Sequence, residues 1–133
     1  RGVWHKLALF QFTGKNLFFD LDIKINDNID FLTDEWKTFT CVDSTPWKKH
    51  KLKTLAINND TLINTSIMRW TDNKKVFDRF LKHRDLYLRL YTGIDRFIWN
   101  EGVTHTTFKG SAISSWMEGI ENNTIVLYNG RYV

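Results

Sequence analysis

Residues 3–12, VWHKLALFQF, and residues 17–25, LFFDLDIKI, decide how this chain is first read. Between them stands Thr13-Gly14-Lys15-Asn16, a four-residue loop of the kind that joins two antiparallel strands. The second arm alternates: Leu17, Phe19, Leu21, Ile23 and Ile25 fall on one side, Phe18, Asp20, Asp22 and Lys24 on the other. Successive strand side chains point to opposite faces, so this pattern predicts a half-buried antiparallel strand. The first arm is apolar on both faces around residues 7–10, which places it near the centre of a sheet.

Outward from this hairpin the strand signals continue. A polar, acidic loop over 26–35 is expected to tuck Ile29, Phe31 and Leu32 beneath it. Short strands are expected at 36–42, 49–57 and 61–70, with turns at Ser44-Thr45-Pro46 and Asn58-Asn59-Asp60. Residues 73–84 read as an amphipathic helix, with Val76, Phe77, Phe80 and Leu81 as its apolar stripe and Thr71 or Asp72 as N-cap. Leu86, Leu88 and Leu90 then oppose Tyr87, Arg89 and Tyr91, which predicts a strand over 86–91. A further hairpin is expected around Glu101-Gly102, joining 96–100 to 103–109. Residues 110–123 fit a short helix between Gly110 and Gly119 or a loop, and 124–128 a last strand before Asn129-Gly130. The fold class this predicts is mainly β: an antiparallel sandwich, jelly roll or curled sheet carrying one amphipathic helix.

At 133 residues, 42% of them hydrophobic, the chain matches one β-rich domain over 1–133 with a substantial core. It opens at Arg1, and the turn signal at Asn129-Gly130 stands only three residues before the last, Val133. Both features suggest a segment of a longer polypeptide. No run approaches the 18 or more apolar residues of a membrane span. Cys41, the sole cysteine, reads as a small buried hydrophobe on a strand.

Charge is the most uneven property. Residues 1–46 carry five Lys/Arg against seven Asp/Glu, residues 47–89 eleven against four, and residues 90–133 three against four. The basicity is therefore confined to the middle third, as a binding footprint would be. On a strand, Lys49, Lys51 and Lys53 share a face, next to Lys48 and preceded by Trp47. On the helix, Lys75, Arg79 and Lys82 stand at i, i+4 and i+7, opposite the apolar stripe. Arg69, on the strand before the helix, completes the set. Such cations neutralise phosphates and release counterions, and Trp70, Tyr87 and Tyr91 offer stacking faces nearby. The reading is a non-enzymatic binding or assembly module whose partner is nucleic acid or another polyanion, together with other protein subunits. Small viral coat or packaging subunits share this combination of β content and basicity. No cofactor and no catalytic set is expected.

The rival reading is enzymatic. Asp20 and Asp22, two apart on one strand, would point to the same face and share a divalent cation. The LFFDLDIK stretch resembles the apolar-apolar-Asp-apolar-Asp strand of archaeo-eukaryotic primase-polymerases. That resemblance implies metal-dependent nucleotidyl transfer, with Asp95 as a third carboxylate. The family's Ser-X-His element has no counterpart in the sequence. Residues 88–91 and 111–116 look like the Arg and Ser elements of ADP-ribosyltransferases, but Glu118 and Glu121 are three apart where those enzymes need Glu-X-Glu. The four histidines are scattered singly, and none pairs with Cys or His at zinc-ligand spacing. A third reading is a protein–protein interaction domain whose basic segment is solvated surface.

Overall fold

In a computed structural model, residues 2–48 and 61–129 are described. The strand at the centre is β4 (Ile63–Thr71). Its sequence INTSIMRWT is apolar or β-branched at most positions, and all nine of its residues are buried or half-buried, seven of them buried. β1 (Lys15–Phe19) pairs with it antiparallel, Lys15 opposite Thr71 and Phe19 opposite Ile67. On its other edge lies β3 (Phe39–Asp43), also antiparallel, with a register shift between Thr40 and Val42. A two-residue strand, Thr106–Thr107, extends the sheet parallel to β3. A second sheet is built from β2 (Ile23–Ile25) and the strands Ile113–Ser115 and Ile125–Leu127, the last in the middle.

The larger sheet separates two cores. On one face Phe39, Cys41, Met68 and Trp70 meet a layer of helices. These are a 3₁₀ helix (Gly2–Gln11), α2 (Lys74–Lys82), α3 (Arg84–Leu90) and α4 (Ile94–Asn100), α1 being the single turn Thr45–Lys48. On the opposite face Val42, Ile67, Leu17 and Phe19 meet the small sheet through Ile125 and Leu127, with Leu32 and Trp47 closing the sides. The strand alternation of β4 thus sends Met68 and Trp70 one way, and Ile67 the other together with Arg69, two residues on.

The expectation of a mainly β fold is overturned: the structure is mixed α/β, 37% helical and 26% strand. Three segments account for the difference. In place of the strand expected over 3–12, the chain forms the 3₁₀ helix, which ends at Gln11. Trp4, Leu7 and Phe10 recur every three residues, matching the three-residue turn, and all pack into the helical-side core. That spacing was hidden because Ala8 and Leu9 are apolar as well. Residues 86–90 belong to α3 and Tyr91 caps it; Tyr87 is buried while Leu86 and Leu90 are 46% and 52% exposed. At four-residue intervals His83 meets Tyr87 edge-on and Tyr87 stacks on Tyr91, ring centroids 6.1 and 6.4 Å apart. Residues 94–100 bury Ile94, Phe97 and Ile98, the i, i+3, i+4 signature of α4.

The 17–25 segment is correct in its alternation and wrong in its continuity. β1 ends at Phe19 and β2 begins at Ile23, in the other sheet. The chain crosses between sheets at Asp20-Leu21-Asp22, anchored by Asp20 N donating to the Ser66 carbonyl (2.8 Å) and Tyr128 N to that of Asp22 (2.9 Å). Leu21 consequently faces solvent completely. The helix at 73–84, the strand at 61–70 and the final strand near 124–128 are found where expected. The helix is entered from Asn73 without a side-chain cap. Asp72 instead accepts a hydrogen bond from Gly14 N at 2.8 Å. The strand expected at 49–57 lies outside the described residues, as do residues 130–133.

Candidate functional site

The amphipathic pattern of α2 fixes the first candidate surface. Val76 and Phe80 are buried, and Lys75, Arg79 and Lys82 are exposed on the remaining face. Lys75 and Arg79 line one cavity of about 310 Å³ with Asn73 and the loop 102–104. The Arg79 guanidinium is also held by Glu101, through its carboxylate at 3.0 Å and its carbonyl at 2.9 Å. Lys74 pairs with Asp78 at 3.3 Å along the exposed side of the same helix. Residues 74–90 hold six Lys/Arg against two Asp/Glu, an excess equal to the +4 of the whole chain.

The other expected cations are distributed differently. Lys49, Lys51 and Lys53 lie outside the described residues. Lys48 turns into a polar cleft of about 320 Å³ between the start of β4 and the start of α4, where its ammonium donates to the Thr61 carbonyl. Arg69 leaves the footprint altogether: it is 4% exposed and sits on the small-sheet face of β4. So α2 gathers three of the eight residues, and two others stand elsewhere.

That polar cleft also collects the carboxylates of the rival reading. Asp20 pairs with Lys6 at 3.0 Å, and Lys6 donates further to the Thr65 carbonyl at 3.2 Å. Asp95 accepts from the Thr65 amide at 3.1 Å and from its hydroxyl. Burial pushes the Asp95 carboxyl above the usual aspartate range, against the Thr65 hydrogen bonds and the cations Lys6 and Lys48. Asp22 and Arg96 complete the walls. Because the chain breaks at Asp20-Leu21-Asp22, these two aspartates do not share a strand face. Among the described residues no group of three or more His, Cys, Asp or Glu is arranged to hold a metal ion.

A third site was not read from the sequence. The Arg69 guanidinium lies 5.7 Å from the centroid of Trp36 and 5.1 Å from that of Phe108, within cation–π range of both. It donates to the Leu32 carbonyl and, at 3.2 Å, to the Thr40 hydroxyl. Among the described residues its Nε has no hydrogen-bond partner. Burial lowers its pKa from the arginine value, with Glu35 and Asp34 acting the other way. A cavity of about 330 Å³ opens beside it. The signal for this site is an arginine inside the apolar strand SIMRW, which is legible only once both faces of that strand are known to be covered.

No helix among the described residues is long and apolar enough to cross a membrane. No family model matches the chain, and comparison with curated proteins and with solved structures gave no match.

Proposed function

We propose that this chain is a non-catalytic binding and assembly module that contacts nucleic acid through the outward face of α2. One observation carries the reading: residues 74–90 hold an excess of positive charge as large as the net +4 of the whole chain, and Lys75, Arg79 and Lys82 stand exposed in a row there. A row of cations on an exposed helix face can neutralise successive phosphates, and their counterions are released on contact. Binding of this type is only weakly dependent on sequence and falls steeply with salt.

The test is a salt titration of fluorescence anisotropy with single-stranded and duplex oligonucleotides. Changing Lys75, Arg79 and Lys82 to Gln should reduce the log–log salt slope by about 2 to 3, at roughly 0.7–0.9 per phosphate contact. The fold should survive, because all three side chains are exposed and the Arg79–Glu101 pair that is lost is part-exposed. An unchanged slope in the folded triple variant removes α2 from the interface. Absence of any salt-dependent binding in the wild type moves the assignment to a protein partner.

A further inference from the structure

We propose that the pocket beside Arg69 binds an organic monoanion, a carboxylate carried on an apolar or aromatic body. The starting point is an electrostatic imbalance inside the fold. Arg69 is almost wholly buried, and among the described residues no carboxylate comes within 4.0 Å of it. Buried guanidinium groups are ordinarily matched by a carboxylate or phosphate in bidentate geometry, since desolvating an unmatched charge is expensive. Here two aromatic faces, one carbonyl and one hydroxyl provide part of the compensation. The orphaned Nε marks what is left over.

The adjoining cavity supplies the rest of the argument. At about 330 Å³ it falls in the lower range of small-molecule sites. Half-buried Phe31 and Phe108 form apolar walls, and Thr106 and Thr107 complete the lining on the strand side. Its charged lining is Arg69, Lys37 and Lys109 against Asp34 and Glu35, an excess of one positive charge. A single carboxylate brings that lining to neutrality, whereas a phosphate dianion overshoots it. The site lies on the small-sheet side of β4, and α2 packs on the opposite side of the same sheet, so the two proposals stand independently.

Protein-observed NMR with benzoate, benzamide and phenyl phosphate as probes tests this. Benzoate should shift the side-chain resonances of Arg69 and the Trp36 indole saturably. Benzamide, of the same shape without the charge, should not, and phenyl phosphate should bind more weakly. Lys37→Gln and Lys109→Gln, both at exposed positions, should each weaken benzoate binding by about two- to five-fold with an unchanged Tm. Arg69→Lys, which removes the guanidinium, should abolish benzoate binding, and the rim variants keep the test decisive if it fails to fold. Three results overturn the proposal: no saturable shift with benzoate, equal shifts with benzamide, or tighter binding of phenyl phosphate.

Discussion

Replacing Phe10 and Phe12 separately by Ala distinguishes the 3₁₀ helix at the amino-terminal end from a strand. On a strand these side chains, two apart, would share a face and cost alike when truncated. In the structure they part company: Phe10, on the helix, is fully buried, and Phe12, just past its end, is 60% exposed. Phe10 meets Phe39 and Trp70 edge-on, with ring centroids 5.2 and 5.3 Å away. Removing a buried Phe costs about 3–5 kcal/mol, because the transfer of its ring is lost and a cavity remains. With about 2.1 cal/mol/K per residue, a chain of this length has an unfolding entropy near 0.28 kcal/mol/K, so ~4 kcal/mol lowers Tm by about 14 °C. Phe12→Ala should stay within about 0.5 kcal/mol, or under about 2 °C. Thermal melts followed by circular dichroism read both. Equal losses for the two variants would refute the helical placement of residues 2–11.

Three further outcomes are expected. Asp20→Asn should destabilise by about 1–3 kcal/mol, because it leaves the largely buried Lys6 ammonium without its charge partner, and Asp22→Asn by no more than about 0.5; equal effects in urea melts contradict the geometry at the sheet crossing. Burial holds the folded-state pKa of Asp95 above its unfolded value, so its protonated form is favoured by folding and stability falls as pH rises from the aspartate range through the folded pKa. Asp95→Asn removes that fall, so the Tm difference between variant and wild type should grow with pH across that window; a flat difference argues against the burial. Cys41 is fully buried, and burial pushes its thiol far above the usual cysteine pKa, with Asp95 and Asp43 adding to the shift. A disulfide reagent should label it only as fast as the protein opens, and rapid stoichiometric labelling of the native protein would place the thiol elsewhere.

Legibility varied with how cleanly one periodicity dominated. α2 was readable because Val76, Phe77 and Phe80 fall on one side while cations occupy the other, and nothing in 74–82 imitates a strand. α3 was not, because Leu86, Leu88 and Leu90 alternate as a strand would, although Tyr87 between them bears the burial. The break at Asp20-Leu21-Asp22 has no Gly or Pro to announce it; it is imposed by the carbonyl of Ser66 and the amide of Tyr128, both remote in sequence. Of the site, the α2 row followed from helix geometry alone. Arg69 was assigned to that surface because a cation on a strand is normally solvated. Only the second sheet, the 30–36 segment bearing Leu32 and Trp36, and Phe108 just after the strand Thr106–Thr107 put it inside.

The most direct test of the nucleic-acid assignment is an amide chemical-shift map recorded while a short thymidine oligonucleotide is titrated into the labelled protein. The account predicts shifts centred on Lys75, Arg79 and Lys82 that disappear when salt is raised, with β4 and the small sheet unmoved. Shifts centred on the polar cleft of Lys6, Asp20 and Asp95 instead, or none at low salt, would contradict it.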